Sequence, residues 1–426
     1  MNKLVIKNGF VVTENDITDI LIENGLITEI KPFILIDGAA VIDATGLKVM
    51  PGFVDMHCHL REPGQEYKEE IATGTRSAAL GGFTSVACMP NTNPVIDQQS
   101  VASFIINKSK THGVVKVHPI GAISKGLKGE ELSEIGELHG AGCVAISDDG
   151  RPLQSASLMK KALIYSAMFD IPVISHCEEM DLVDEGVMNE GYMSTILGLK
   201  GIPSIAEDIM VSRDILLAEY TGVRIHIAHV STKTAVQLIR DAKLRGVKVT
   251  AETCPHYFSL TESACENFNT QAKMNPPLRT QADVDAVIAG LKDGTIDVIA
   301  TDHAPHHPDE KRCEFSLASN GIVGFETAFS LAYTNLVKPG HLTIEKLVQK
   351  MCVAPAEILH LRVGTLAVGM PADICMVDTE KEYQVETAQF ASKSKNSPFD
   401  GCTVTGAVVY TIVDGKVVVN QGKLTE

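Results

Sequence analysis

The sequence predicts an α/β fold, a (β/α)8 TIM-like barrel with a small β-sandwich domain formed by the N- and C-terminal segments. Between about residues 49 and 361, short strand-like runs alternate with helical periodicity, the pattern of βα units around a parallel sheet. Eight such runs can be read, at 49–54, 84–89, 115–120, 143–149, 171–176, 224–229, 247–251 and 297–302. Eight strands with eight helices suggest closure into a barrel. An open doubly wound sheet fits less well, because the chain carries no Gly-rich phosphate loop.

The chain ends follow a different style. Strand-like runs at 4–6, 10–12, 19–22 and 26–30 are broken by turns, with Asn24-Gly25 as a hairpin signal. The tail repeats this at 372–377, 403–413 and 417–420, with a break at Asp414-Gly415. Pairing the two ends covers their edges, which places the small β domain at 1–49 and 366–426 and the barrel at 50–365. Within the barrel, residues 69–80 read as a helix that stops at Gly81-Gly82.

The strand endings carry the chemistry. The first run leads into Asp55-Met56-His57-Cys58-His59-Leu60-Arg61, and alternation puts His57 and His59 on one strand face, where both can hold one ion. Four other runs end in the same grammar, at Asp148-Asp149, His176, His229 and Asp302. Any one of these reads equally well as a polar residue where a strand meets solvent. Five strands with one ending do not, and in a barrel all five ends converge on the catalytic face. By parity, His226 turns away from His229 and His303 from Asp302. Between Asp148 and Asp149 a buried parallel strand offers no pattern to choose.

Composition excludes several classes. At 426 residues, 45% hydrophobic and 21% charged, the chain is long enough for a large core and has no disordered bias. A formal net charge of -16 opposes nucleic acid and anionic membrane as partners, while a local basic pocket could still hold a small acid. Ten cysteines without a Cys-x-x-Cys pair suggest reduced thiols and a cytoplasmic setting. The stretch from Met1 to Gly9 turns too early for a signal peptide, and no apolar run is long enough to span a bilayer.

The segment Pro51-Gly52-Phe53-Val54-Asp55-Met56-His57-Cys58-His59-Leu60-Arg61-Glu62-Pro63-Gly64 resembles the dihydroorotase signature within the amidohydrolase superfamily. Ala300-Thr301-Asp302-His303-Ala304-Pro305-His306 is similar to a second motif of that family, and Met89-Pro90-Asn91-Thr92-Asn93-Pro94 to its substrate loop. The resemblance covers essentially the whole chain. It implies a Zn2+ enzyme, with one or two ions per subunit, that interconverts N-carbamoyl-L-aspartate and L-dihydroorotate in pyrimidine synthesis. His57, His59 and Asp302 would hold one zinc, His176 and His229 the other, and Asp149 would bridge or complete the pair. Asp302 would move the proton during catalysis. The resemblance favours Asp149 over Asp148, and no lysine occurs between Lys128 and Lys160 to serve as the carboxylated bridge of hydantoinases.

By the same resemblance, Arg61, Asn91 and His306 would grip the substrate carboxylate, and Asn275, Asn320 and Gly321 would contact the ring. The chain departs from the family at Ser319 and Asn320, where relatives usually carry proline and then phenylalanine. The polar segment 307–319 would form a lid. A homodimer and association with aspartate transcarbamoylase are further implications. The competing readings are a hydantoinase or allantoinase, and a non-catalytic scaffold subunit for that transcarbamoylase.

Overall fold

The computed structural model describes residues 3–425; Met1 and Asn2 of the N-terminal reading, and Glu426, lie outside the described residues. Eight parallel strands follow one another in chain order around the centre of the molecule: Phe53–Cys58, Phe83–Cys88, Lys116–Ala122, Ala145–Ser147, Val173–Ser175, Ile225–Ile227, Val249–Thr253 and Val298–Ile299. Each of the eight runs read from the sequence contributes one of them. The circle closes where Cys58 bridges His303 in parallel and the His59 amide donates to the His303 carbonyl at 2.8 Å.

Helices cover the outside, among them Ile71–Leu80, Gln99–His112, Ala156–Ala167, Ile205–Thr221, Lys233–Leu244 and Gln281–Asp293. Ser155 and Thr232 cap two of them by accepting from the Leu158 and Ala235 amides. The barrel interior is filled by Met56, Ala87, Ile120, Ala145, Ile174 and Val298, drawn from six strands. Alternating small and large apolar side chains close it beneath the catalytic face.

The two chain ends join in one nine-stranded mixed sheet. Its central seam is the antiparallel pairing of Lys48–Pro51 with the start of Ile374–Gln384, in register from Ile374 opposite Pro51 to Val377 opposite Lys48. The Asn24-Gly25 hairpin forms as read, with φ of 53° and 84° at the two turn residues. Runs 4–6 and 10–12, read as separate strands, are one strand, Lys3–Val11, with a register shift at Asn8 (φ 61°).

The apolar run 49–54 is not a single barrel strand. The chain crosses from one sheet to the other at Gly52, where a Cβ would fall 2.1 Å from Thr84 Cγ2. Only glycine lets the two sheets approach this closely. A continuous apolar run conceals such a junction because both sides of it are buried.

Candidate metal centre and active site

The barrel strands deliver their terminal histidines and aspartates to one point. His57 Nε2 lies 3.4 Å from Asp149 Oδ1 and 3.5 Å from Asp302 Oδ1. His59 Nε2 lies 3.0 Å from Asp302 Oδ1 and 3.5 Å from Asp149 Oδ2. On the other side, His176 Nδ1 and His229 Nε2 stand 3.4 and 3.5 Å from Asp149 Oδ1, with 2.7 Å between the two nitrogens. Asp149 thus sits between both histidine pairs.

Asp148 takes a different course. Its Oδ1 accepts from the Ile123 and Ser124 amides at 2.8 and 3.0 Å, and its Oδ2 accepts from the Ser124 hydroxyl. Burial nevertheless pushes its carboxyl up to about 6. Asp148 holds the loop together, and Asp149 faces the histidines.

Two groups, His57 with His59 and Asp302, and His57 with Asp149 and His229, each have their ligand atoms within 4.8 Å of one another. Both are capable of holding a divalent ion. Two observations fit such an ion: His57 Nε2 and Asp149 Oδ1 are buried, face each other, and have no hydrogen-bond partner. Orphaned polar atoms of this kind are costly unless a ligand completes them. The field also favours a cation. Burial disfavours charge on His57, yet Asp149, Glu252 and Asp302 raise its basicity well above the ordinary value. His176 is likewise lifted to about 10, Asp149 and Glu178 overcoming its burial. Asp149 and Asp302 are held below the usual carboxylate range despite their burial, chiefly by His57.

Beside this cluster lies a cavity of about 190 Å³. It is lined by the cluster residues except His57, and by Arg61, Asn91, Asn275, His306, Asn320 and Gly321, so every substrate contact read from the sequence faces one space. Arg61 donates from Nε to the Pro305 carbonyl at 3.1 Å and from Nη2 to His306 Nε2 at 3.3 Å. Burial, then the cations Arg61, Lys68 and Lys311, hold His306 neutral. Asn91 Oδ1 accepts from His59 Nδ1 at 2.9 Å, so this residue orients a candidate ligand as well as lining the cavity. Gly321 has φ 122° and an added Cβ would meet Ala304 Cβ at 2.6 Å, so the turn requires glycine.

The backbone is strained where these side chains are presented. Arg61, His229 and Asp302 all have positive φ, at 61°, 34° and 46°. His229 lies beyond the end of its strand, and its left-handed turn is what brings the ring to Asp149. His226, set aside as a ligand by parity, is not in the cluster and points into the barrel interior. His303 does stand apart, stacked on Phe325 with centroids 4.1 Å apart.

Several residues escaped sequence reasoning. Glu252 Oε1 is 2.5 Å from His57 Nδ1, and Glu178 Oε2 is 3.3 Å from His176 Nε2 and accepts from Asn275 at 3.0 Å. A carboxylate directly after the run 247–251 was the available signal for Glu252. Asn396, which accepts from the His306 amide and donates to the Ala304 and Gly321 carbonyls, had none. Segment 307–319 is anchored by two lysines. Lys311 donates to the Ser319 and Lys273 carbonyls at 2.7 and 3.1 Å, and Lys273 to those of Phe315 and Ser316 at 2.7 and 3.0 Å.

A Dihydro-orotase-like family model matches residues 46–235, and an Amidohydrolase family model matches residues 272–419. A dihydroorotase of Acetivibrio thermocellus is 65% identical over 98% of this chain and 99% of its own length. The chain belongs to the dihydroorotase family. A further dihydroorotase, from Citrifermentans bemidjiense, is 57% identical over 97% of this chain and 99% of its own. Among solved structures, an L-hydantoinase (dihydropyrimidinase) of Arthrobacter aurescens superposes with a TM-score of 0.90 at 28% identity, covering 100% of this chain and 98% of its own. A dihydropyrimidinase of Brevibacillus agri gives 0.88 at 25%, covering 99% and 96%. This member of the dihydroorotase family is a cyclic amide hydrolase with a barrel fold. No helix among its described residues is long and apolar enough to cross a membrane.

Proposed function

We propose that the enzyme is a zinc-dependent dihydroorotase that interconverts N-carbamoyl-L-aspartate and L-dihydroorotate. The observation that carries this reading is Arg61, a buried guanidinium lining the same small cavity as the histidine–aspartate cluster. A guanidinium is suited to hold a carboxylate by two parallel hydrogen bonds. A neutral hydantoin ring would leave it unpaired, which is costly in a buried site.

His57, His59 and Asp302 would hold one ion, and His176 and His229 a second, with Asp149 between them. Bound there, zinc supplies a Lewis acid for the ring carbonyl and a water acidic enough to attack at neutral pH. Arg61, Asn91 and neutral His306 bind the substrate carboxylate outside the reacting bond, His306 through an Nε2–H that takes the place of the bond it accepts from Arg61. Asn275, whose buried Oδ1 has no partner, accepts from a ring N–H, and Asn320 and Gly321 complete the wall. Asp302, held ionised by His57 and His59, accepts the proton of the attacking water and returns it to the departing amide nitrogen. In the reverse direction the same carboxylate removes the proton from the carbamoyl nitrogen.

The test is to offer the zinc-loaded protein L-dihydroorotate, hydantoin and allantoin separately, following loss of each ring by absorbance. Opening of dihydroorotate alone, abolished by chelation, is expected. Preference for hydantoin would overturn the assignment, and inactivity toward all three with metal bound would favour the scaffold reading.

A further inference from the structure

Parallel ladder partners point to the same face of a sheet. Ile174 pairs with His226, His226 with Thr250, and Val298 with Glu252, and both Ile174 and Val298 belong to the apolar filling of the barrel. His226, Thr250 and Glu252 therefore project into the barrel interior, beside the apolar filling that Ile174 and Val298 belong to. His226 and Glu252 are completely buried. A polar file of this kind needs a reason, since burying it is costly unless every member is satisfied.

The contacts form an unbroken line to the candidate metal centre. Thr250 Oγ1 is 2.8 Å from His226 Nδ1, His226 Nε2 is 3.2 Å from Glu252 Oε2, and Glu252 Oε1 is 2.5 Å from His57 Nδ1. An ionised carboxylate only accepts, so both imidazole nitrogens that face Glu252 carry protons. His226 Nδ1 in turn faces the Thr250 hydroxyl, which holds the ring on its other side. At the other end His57 must be protonated on Nδ1. Its Nε2, buried and without a hydrogen-bond partner, is the ring atom that faces Asp149 and Asp302. One carboxylate engages both rings.

We propose that Glu252 is a positioning residue for the metal-ligating face of His57, and that His226 and Thr250 hold Glu252 in register. It rests on the reading of His57 as a metal ligand, and acts through His57 without touching substrate. Hydrogen-bonded carboxylates behind ligating histidines fix the ring and increase its donor strength, and their loss typically costs ten- to a hundredfold in metal affinity. A role confined to packing would give no such loss.

The experiment measures the zinc dissociation constants of the wild type, Glu252→Gln, Thr250→Val and Thr250→Ser by competition with a chromophoric chelator. The visible absorption of the cobalt-loaded forms is recorded alongside. Glu252→Gln is expected to weaken zinc about ten- to a hundredfold and to shift the cobalt bands. Its kcat for dihydroorotate should fall with little change in KM, because Arg61 and the cavity are untouched. Thr250→Val should weaken zinc severalfold, and Thr250→Ser, which keeps the hydroxyl, should restore wild-type affinity. A folded Glu252→Gln with wild-type affinity and cobalt spectrum would overturn the proposal. If that variant does not fold, equal affinities for the two Thr250 variants would overturn it instead. Wild-type protein that binds no zinc removes the ligand reading and this inference together. The expected affinity losses in a protein that does not open dihydroorotate would sink the assigned reaction and leave the positioning role standing.

Discussion

Asp148 and Asp149, adjacent in the chain, leave the fourth barrel strand for opposite purposes: Asp148 is tied to Ile123 and Ser124, while Asp149 Oδ1 stands free within 3.5 Å of His57, His176 and His229. Two substitutions separate them. Asp149→Asn removes the charge between the histidine pairs and should abolish at least one metal equivalent by metal analysis, with ring opening reduced a thousandfold or more. Asp148→Ala orphans two buried amides and should cost about 1–3 kcal/mol of stability in urea unfolding. The surviving folded Asp148→Ala protein should still bind metal. The reverse pattern would reassign the ligand.

The sequence was most informative where chemistry coincides with regular strand endings. His57 and His59 were legible because a strand fixes which way its last residues point, and His176 and Asp302 because they follow an apolar run, although Asp302 lies beyond its strand with a left-handed φ. His229 was reached for the right reason, its place after an apolar run, but its left-handed φ broke the parity used to discard His226. Glu252 and Glu178 were invisible as partners because their contacts span 195 residues in one case and run through a loop in the other. The junction at Gly52 was hidden by uniform burial on both sides, which removes the polarity signal that marks a strand's end.

Arg61 is the carboxylate clamp in the proposed reaction, and its geometry makes lysine a poor replacement. Arg61→Lys keeps the charge but loses the fork and the bond to the Pro305 carbonyl. KM for dihydroorotate should rise about tenfold or more, the loss of a charged hydrogen bond being worth about 1.5–3 kcal/mol. Zinc content should be unchanged. Steady-state kinetics with metal analysis on the same sample check both; an unchanged KM would exclude Arg61 from substrate binding.

Ion binding should also be visible as stability. The centre brings Asp149, Asp302 and Glu252 together in a buried space, a concentration of negative charge that a bound cation relieves. Chelated protein should unfold at a lower temperature than zinc-loaded protein. The difference should grow with free zinc, reaching about 2.7 kcal/mol at a hundredfold excess over the dissociation constant. Calorimetry at several zinc concentrations tests this, and a melting temperature indifferent to zinc would argue against a structural contribution from the site.

Lys311 makes a pH dependence predictable in sign. Burial and the nearby Lys273 push it from the ordinary 10.5 down to about 7, while its amine donates to the Ser319 and Lys273 carbonyls. Between about pH 7 and 10.5 the unfolded chain holds a proton here that the folded chain releases. Stability from this group therefore rises with pH across that window, and below about 7 the folded state carries a buried charge. Lys350, lowered by burial to about 8, contributes with the same sign. Lys311→Met should flatten the rise in urea midpoint between pH 7 and 9.5. Because Lys311 pins Ser319 next to the cavity residues Asn320 and Gly321, the variant should also cleave faster within 307–319 under limited proteolysis. An unaltered slope would show that the Lys311 ammonium remains charged in the fold.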